Sequence, residues 1–320
     1  MTQPLVSIII PAYNVAGYIG EALDSVLAQS LGDFEAIIVD DGSPDRAALE
    51  SVLASYSDTR LRYLQKANGG LASARNAGIA AARGEWVAFL DGDDAWLPNY
   101  LSSQLALLAP EPAAAAAFPD GFIFGDTPLN GRRLSAIGGH QLGPVTLTEV
   151  LAGRSNLNYC CTVKRAVIER IGGFDESLKR TEDHDFYLRL LLAGERVLSN
   201  PEPLFRYRRR GDSLSADGVE MARSALGVLE KLDSQFARRP GLSQLAEERR
   251  KGLRATIEFA LGREAFHERR WRAAREHWRA HQRLRPSFKV AAALGISRIS
   301  PRLTRALMKL NGQIRRAGLP

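Results

Sequence analysis

Short apolar runs alternate with amphipathic helical patterns over the first hundred residues of the chain. The runs are typical of buried strands, which we predict at Leu5–Ile10, Phe34–Asp40, Leu61–Leu64 and Trp86–Leu90. Between the first two strands, apolar residues recur at helical spacing: Ile19, Ala22, Leu23, Val26 and Leu27. The alternation predicts an α/β fold in which a mostly parallel central sheet is flanked by helices.

The pattern is less regular from residue 101 to residue 215. A helix is predicted from about Tyr100, and a passage rich in Pro, Gly and Ala then runs to Gly143. Further along, the sequence predicts a strand at Asn158–Val163 and a helix through Phe186–Leu192.

The last third of the chain has the pattern of basic amphipathic helices. One predicted helix carries an apolar stripe and a basic stripe: Trp271, Ala274, Trp278 and His281, against Arg272, Arg275, Arg279 and Arg283. A second helix is predicted to open at Ser300-Pro301, with apolar residues in register: Leu303, Leu307, Leu310 and Ile314. We therefore predict a helical C-terminal extension.

Charge divides the chain at about the same place. The net charge of +7 is the sum of −6 over residues 1–215 and +13 over residues 216–320. We expect a domain boundary near Ser215, because such a split is typical of two regions with different partners. A basic region attracts anionic membrane surfaces, nucleic acids or acidic polymers.

Several classes of protein are excluded by what the sequence does not contain. No apolar run approaches the ~20 residues of a membrane span, so we do not expect an integral membrane protein. Met1–Pro4 has no basic region and leads straight into the first strand, so we expect no signal peptide. Cys160 and Cys161 are adjacent, poorly placed to bridge each other and without metal-ligand spacing, which indicates buried thiols in a reducing cytoplasm.

Polar motifs follow the first two predicted strands. Ligands of open α/β sheets bind beyond the carboxyl ends of the strands, which here are Pro11–Asn14 and Asp40–Ser43. The Tyr13 ring can stack on a nucleobase, and a carboxylate can accept the imide N–H of uracil or thymine. Asp-Gly-Ser is also ordinary turn chemistry, so this interpretation stays open beside the first.

A glycine-bearing loop, Asn68–Gly70, follows the third strand and leads into a helix of small residues that contains Arg75. The amino end of a helix and an arginine both favour phosphate. A tight loop with a helix packed closely on the sheet explains the glycines equally well. It does not explain Arg75.

The fourth strand runs into Asp91-Gly92-Asp93-Asp94, the strongest chemical signal in the sequence. Three carboxylates at the end of a buried strand repel one another, a cost that is tolerable chiefly when a divalent cation neutralises them. Oxygen ligands suit Mg²⁺ or Mn²⁺, completed by diphosphate oxygens and water. An acidic turn that caps the next helix is the structural alternative.

A second acidic group, Glu182-Asp183-His184-Asp185, lies at the amino end of the helix predicted through Phe186–Leu192. Acids at a helix amino end are ordinary, so the run means little by itself. A reaction in which a hydroxyl displaces a nucleoside diphosphate needs one carboxylate to take the proton, with His184 or Asp185 as competitors for that role.

In their order and approximate spacing, these motifs resemble the GT-A-fold glycosyltransferases of family 2, from about Val6 to Ser215. The matching segments are Val6–Asn14, Asp40–Ser43, Asn68–Gly70 with Ala74–Asn76, Asp91–Asp94, Gly172–Glu176 and Glu182-Asp183. The resemblance implies a Rossmann-like catalytic domain over residues 1–215. Its nucleotide-sugar half would be residues 1–100 and its acceptor half residues 101–215, followed by the helical basic region 216–320.

The resemblance also implies roles for single residues. The residues expected to bind the nucleotide sugar are Pro11, Ala12, Tyr13, Asp41, Arg75, Asp91 and Gly92. Asp91 and Asp93 match the metal-binding DxD element, with Asp93 preferred as the direct ligand of Mn²⁺ or Mg²⁺. Asp183 matches the general base, and Glu182 and Asp185 would orient its loop.

The implied activity is an inverting, metal-dependent transfer from a UDP- or dTDP-linked sugar to an acceptor hydroxyl. The acceptor would be a glycan or a lipid-linked glycan of cell-surface synthesis, and the protein would be cytoplasmic. Its basic region would contact the anionic inner face of the plasma membrane, and no nucleic acid would bind. Tyr207–Arg210 with Ser213–Ser215 resembles a segment that closes over the diphosphate in this family, or is a solvated basic loop.

Three rival hypotheses remain. Gly92-Asp93-Asp94 is also the GDD of template-dependent polymerases, but there it lies in a hairpin of an antiparallel palm. Sugar-1-phosphate nucleotidyltransferases share the sheet type, but this chain has no Gly- and Lys-rich signature at its start. The non-enzymatic alternative is a nucleotide-sugar-binding or scaffold protein that acts through its basic tail. That tail is open to three interpretations: a packed helical module, a membrane anchor or a partner-binding pair of repeats.

Overall fold

The computed structural model describes residues 3–138, 143–155, 157–211, 213 and 217–299 of the chain. The chain divides into two compact units, Met1–Ser213 and Leu214–Pro320. The helix predicted to open at Ser300-Pro301 lies outside the described residues.

The strands of the first unit form a single sheet. Their bounds are β1 Val6–Ala12, β2 Phe34–Asp41, β3 Leu61–Lys66, β4 Trp86–Phe89, β5 Ala95–Trp96, β6 Ala114–Gly125, β7 Gly143–Val145, β8 Thr162–Lys164 and β9 Arg196–Arg209. The strand order is β3-β2-β1-β4-β8-β6-β9-β5, and β7 also pairs with β9. Strands β1 to β4 are parallel, as predicted, while β8 runs antiparallel between β4 and β6.

Helices cover this sheet and explain its apolar strands. Their bounds are α1 Ile19–Leu27, α2 Arg46–Leu53, α3 Leu71–Ala81, α4 Tyr100–Leu108, α5 Ser135–Gly138, α6 Leu147–Leu151, α7 Arg165–Ile171 and α8 Glu182–Leu192. Every residue of β1 and β2 is buried, as expected for strands covered on both faces. A Cβ at Gly78 of α3 would lie 2.4 Å from Ile9 Cγ2, so α3 packs on the sheet through residues without bulk. The predicted α/β class is confirmed.

The irregular middle of the first unit differs from the prediction. The passage rich in Pro, Gly and Ala contains the long strand β6, which pairs in parallel with β9 through two bulged positions around Asp120. The strand predicted at Asn158–Val163 begins only at Thr162. Tyr207 and Arg208 lie within β9 rather than in a loop, whereas Leu214 and Ser215 lie outside the described residues.

The second unit is helical, as predicted, and has a core of its own. Its helices are α9 Gly218–Lys231, α10 Asp233–Ala237, α11 Leu242–His267, α12 Trp271–Leu284 and α13 Phe288–Ile299. The predicted apolar stripe of α12 is buried here, because Ala274 and Trp278 pack with Phe266 and Val290. No helix in the described part of the chain is long and apolar enough to cross a bilayer.

Helices α11 and α12 form a tightly matched antiparallel pair. A Cβ at Gly262 would lie 2.3 Å from Trp278 Nε1, so the indole occupies the space that a side chain would need. Further along the pair, His277 Nδ1 lies 2.8 Å from Glu258 Oε2, and His281 Nδ1 lies 2.8 Å from the Ala255 carbonyl oxygen. Polar contacts therefore fix the same register as the buried tryptophan.

Candidate active site

The acidic segment after β4 leaves the sheet beside the end of β1. The two strands pair in parallel, with Ile9 opposite Phe89. A Cβ at Gly92 would lie 2.9 Å from the carbonyl oxygen of Pro11, so a larger residue would push the segment away from β1. The side chains of Asp91 and Asp93 keep 22% and 19% of their surface exposed, so both carboxylates can reach a ligand at this rim.

Asp94 has a different environment from the other two acids. Its carboxylate is buried and accepts hydrogen bonds from the Tyr159 hydroxyl and, at 2.6 Å, from the backbone N–H of Arg208. Burial, followed by the nearby charges of Asp93 and Asp91, raises the pKa of Asp94 well above its usual range. Asp94 thus joins the end of β4 to β9. The carboxylates left available to a cation are therefore two, Asp91 and Asp93, rather than the three expected from the sequence.

Asp93 is the acid that a cation would stabilise most. Burial first, and Asp91 second, raise the pKa of Asp93 to about 6. Arg210 offsets part of this repulsion, since its Nε lies 3.3 Å from Asp93 Oδ2. Two neighbouring carboxylates are a suitable donor set for a hard divalent cation. In the described ranges no group of three or more His, Cys, Asp and Glu is arranged around a metal position, so a bound ligand would have to complete the coordination.

Arg75 connects this acidic segment to the start of α8. Its side chain is 1% exposed, with Nη2 donating to Asp91 Oδ1 at 2.8 Å and Nη1 donating to Glu182 Oε1 at 2.6 Å. Burial alone would lower the pKa of Arg75, but Asp91 and Glu182 raise it above its usual value. The guanidinium therefore stays charged and holds two acids that are 91 residues apart along the chain.

Glu182 and Asp183 are neighbours with separate environments. Glu182 is buried in its ion pair with Arg75, whereas Asp183 is partly exposed and accepts a hydrogen bond from the backbone N–H of His184 at 2.7 Å. Surrounding protein atoms, and then the charge of Glu182, raise the pKa of Asp183 to about 7, against the opposing effect of Arg75. Asp183 is thus poised to accept a proton near neutral pH.

The first turn of α8 is anchored from its other side. Asp185 is buried and accepts from Arg189 Nε at 2.7 Å, and Arg189 also donates to the carbonyl of Ile171 at 3.1 Å. Asn76 binds the loop between α7 and α8 through both ends of its amide. Its Nδ2 donates to the carbonyl oxygen of Phe174, and its Oδ1 accepts from the Phe174 N–H, both at 2.8 Å. Three motifs that are far apart in sequence therefore meet around Arg75.

The nucleoside side of the predicted site lies at the ends of β1 and β2. Pro11 and Ala12 are buried in β1, and Tyr13 is 52% exposed, as a stacking ring would be. Asp41 is buried, and its carboxylate accepts from Lys66 Nζ at 2.6 Å and from the backbone N–H groups of Gly69 and Gly70 at 3.0 and 2.7 Å. The carboxylate therefore organises the glycine loop, and a nucleobase would have to share it with these donors.

Several residues of the site were not singled out from the sequence. No local sequence pattern predicts the hydrogen bond from Lys66 to Asp41 or the one from Tyr159 to Asp94. Both depend on the sheet, which brings the partners together. Arg208 and Arg210 did have a signal, the basic run at the end of β9. Their partners were not predictable, because the Arg208 side chain donates to the carbonyl of Asp93, 115 residues away.

The sheet is mostly parallel, and an acidic turn follows its fourth strand. A second acidic group, at the start of α8, is bound to that turn through Arg75. Together these features define a GT-A glycosyltransferase fold. The crystal structure of S. aureus TarS 1-349 in complex with UDP-GlcNAc superposes with a TM-score of 0.62 at 20% identity, over 98% of this chain and 92% of that one. The mannosyltransferase PcManGT from Pyrobaculum calidifontis, in complex with GDP-Man and Mn²⁺, gives 0.63 at 20% identity over 96% and 86%. At this identity the likeness concerns the fold.

The family follows from sequence similarity. Residues 7–172, just over half of the chain, match the family described as glycosyl transferase family 2. The chain belongs to this family.

Similar proteins include the uncharacterized glycosyltransferase EpsJ of Bacillus subtilis (strain 168), 36% identical over 66% of this chain and 63% of EpsJ. The uncharacterized glycosyltransferase RT0329 of Rickettsia typhi is 35% identical over 73% of this chain and 71% of its own length. A Rickettsia felis relative is matched over only 31% of its length. The chain thus spans less than two thirds of some of the relatives it matches.

Proposed function

We propose that the protein is an inverting, divalent-metal-dependent glycosyltransferase that uses a UDP- or dTDP-linked sugar. One observation supports this most: Arg75 forms ion pairs at 2.8 Å with Asp91 and at 2.6 Å with Glu182. Because Glu182 precedes Asp183, this bridge holds the proposed donor side and the proposed base side of the reaction on one buried cation. We assign catalysis to residues 1–215, with donor binding in residues 1–100 and acceptor binding in residues 101–215.

The donor is proposed to lie across the ends of β1, β2 and β4. Tyr13 would stack on the base, beside Pro11 and Ala12, and Asp41 with the loop it organises would select a uracil or thymine edge. The diphosphate would lie toward Asp91, where the absence of a side chain at Gly92 lets the backbone approach. The same fold carries UDP-GlcNAc in TarS and GDP-Man in PcManGT, so the base preference must come from local contacts of this kind.

Asp93 and Asp91 are the proposed metal ligands, since they are the partly exposed pair of the acidic segment. A bound Mn²⁺ or Mg²⁺ would supply charge neutralisation for the leaving diphosphate. Arg75 holds Asp91 in place from the buried side. Arg210, now paired with Asp93, would remain within reach of the diphosphate and add positive charge there.

Asp183 is the proposed general base. It would take the proton of the acceptor hydroxyl as that oxygen attacks the anomeric carbon from the face opposite the leaving group, which inverts the configuration. Its raised pKa near 7 suits proton acceptance at neutral pH. Glu182 and Asp185 would act as positioning residues, because Arg75 and Arg189 bind them and thereby fix the first turn of α8.

The cellular role is proposed from the resemblance and from charge. We propose a cytoplasmic enzyme that extends a glycan or a lipid-linked glycan for the cell surface. The basic region from residue 216, with a net charge of +13, would contact the anionic inner face of the plasma membrane. Nucleic acid is not a proposed partner.

A calorimetric screen of UDP, dTDP, GDP and ADP with Mn²⁺ or Mg²⁺ tests the donor and the metal together. We expect UDP or dTDP to bind best, and we expect binding to fall sharply when a chelator removes the metal. Binding of UDP that is equally tight with and without chelator would contradict the metal site. A clear preference for GDP would contradict the base assignment while leaving the transfer reaction in place.

A further inference from the structure

The second unit presents an exposed aromatic ring at the turn between α12 and α13. Phe288, the first residue of α13, is 88% exposed, whereas Val290 is 3% exposed and belongs to the helical core. Two residues advance a helix by about 200°, so the side chain of Phe288 lies on the face opposite Val290. The helix that is anchored by Val290 therefore directs Phe288 outward.

The turn that carries this ring is braced by one side chain. Gln282 Nε2 donates to the carbonyl oxygen of Ser287 at 2.6 Å, and the Ser287 N–H donates to Gln282 Oε1 at 2.6 Å. Pro286, with its fixed φ, lies inside the same turn. Phe288 is consequently displayed by an ordered element.

Cationic residues flank Phe288 in the sequence. Arg283, Arg285 and Lys289 lie within five positions of Phe288, and all three are exposed. From residue 277 to the end of the chain the sequence contains ten Lys and Arg and no Asp or Glu. This part of the molecule has no acid of its own to neutralise these charges.

The fold of the second unit also brings two arginines together, Arg249 and Arg285. The antiparallel register of α11 and α12, fixed by the contact of His281 with Ala255, brings Arg285 beside Arg249. Burial and the charge of Arg285 together lower the pKa of Arg249. In the part of the chain that the structure describes, neither of these two arginines forms an ion pair. Like charges held together without an acid are a site for an external anion.

Two other arginines of α11 form ion pairs. Arg250 pairs with Asp233 at 2.8 Å and with Glu247 at 2.9 Å, and Arg254 pairs with Glu230 at 3.2 Å. Arg249 thus differs from Arg250 and Arg254, the two arginines that follow it on the helix and that pair with acids.

We propose that the turn between α12 and α13 is a membrane-docking element for an anionic bilayer. Phe288 inserts at the boundary between headgroups and acyl chains, and Arg249, Arg285 and Lys289 bind lipid phosphates. This inference rests on the proposed contact of the basic region with the membrane, and it names the residues that make it. Single-stranded nucleic acid is disfavoured, because such sites stack bases on several aromatic rings. Phe288 is the one exposed large apolar residue among residues 217–295 and 297, whose side chains are described.

Flotation with vesicles tests the docking element in the full chain. Vesicles of phosphatidylcholine are compared with vesicles that contain equal parts of phosphatidylcholine and phosphatidylglycerol. We expect binding only to the second kind, a roughly tenfold loss of partitioning for Phe288→Ser, and a loss of more than about tenfold for the double variant Arg249→Gln with Arg285→Gln. Ile137→Ser and Arg263→Gln, which change an exposed apolar residue and an exposed arginine elsewhere, should bind like the original protein.

A second measurement guards against effects of misfolding. Phe288→Trp should bind the anionic vesicles and show a blue shift of its added fluorescence, relative to the parent protein, when they are present. Wild-type binding that is unchanged in Phe288→Ser would overturn the docking element while leaving a general contact of the basic region intact. No binding of the wild type would remove both. Binding of an oligonucleotide that depends on Phe288, without vesicle binding, would also overturn the inference in favour of nucleic acid.

Discussion

At the scale of single residues, the acids of the site differ in exposure. Asp94 and Glu182 are buried with fixed partners, whereas Asp93 and Asp183 are partly exposed and have raised pKa values of about 6 and about 7. Raised values disfavour ionisation, which costs free energy in the empty site. Such cost is typical of residues that are kept for chemistry rather than for stability.

The pH dependence of transfer follows from Asp183. Below pH 7 its carboxyl is mostly protonated and cannot accept the hydroxyl proton, so we expect the rate to rise with pH and to level off above about 7. Asp183→Asn should lower the transfer rate by roughly 10²–10⁴-fold while UDP affinity stays nearly unchanged. Turnover against pH, together with calorimetry of both proteins, checks this. Full turnover by Asp183→Asn would remove the residue from the mechanism.

Metal binding is predicted to depend on Asp93. Asp93→Asn should weaken Mn²⁺-dependent UDP binding by at least about tenfold, because a neutral amide replaces the charged ligand. Asp126→Asn is the matched control, since Asp126 is an exposed acid of the same unit. Titration calorimetry with Mn²⁺ measures both variants. Equal affinity of the two would place the metal elsewhere.

At the scale of secondary-structure elements, the packing of α11 against α12 depends on a glycine, Gly262. Trp278 fills the space above Gly262, and its Nε1 has no hydrogen-bond partner within the described residues. The tryptophan is therefore held by shape rather than by a polar contact. Its burial stabilises the helical core of the second unit.

Gly262→Ala is expected to destabilise this helical core. The added methyl would lie 2.3 Å from Trp278 Nε1, so the helices must separate, at a cost of roughly 1–3 kcal/mol in the free energy of unfolding. Gly252→Ala on the same helix is the control, because its Cβ would meet nothing within 4 Å and should stabilise the helix by up to about 1 kcal/mol. Urea unfolding followed by circular dichroism compares them. A neutral effect at Gly262 would contradict the packing described here.

The elements also differ in how well the sequence predicted them. Strands β1, β2 and β4 were predicted because strands buried on both faces read as unbroken apolar runs. Strand β6 was missed, since alanines, Pro119 and Gly121 favour no strand, and it is held by pairing with β9 rather than by propensity. The roles of the site motifs stay predictions. The contacts of Arg75 were not predictable from the sequence, because its two partners come from different elements that only the fold brings together.

At the scale of the whole molecule, two compact units carry opposite charge. Residues 1–215 hold −6 and residues 216–320 hold +13, while the ion pairs around Arg75 are buried in the first unit. Salt screens exposed charges over a Debye length of about 8 Å at physiological ionic strength, but it acts much less on buried pairs. The two electrostatic systems should therefore respond differently to salt.

High salt is predicted to release the protein from membranes without unfolding it. Near 1 M salt, where the Debye length is about 3 Å, we expect the protein to leave anionic vesicles while its melting temperature changes little. Vesicle flotation and thermal unfolding at low and high salt measure the two responses. Attachment that persists at high salt would mean that apolar insertion, rather than charge, dominates.

The net charge of +13 on residues 216–320 has a practical consequence for the proposed attachment. If attachment is electrostatic, a salt wash of a membrane fraction should release the protein without detergent and in its folded form. Dilution should then return it to the lipid, so the amount of protein at the bilayer would be set by the ionic conditions and by the fraction of acidic lipid.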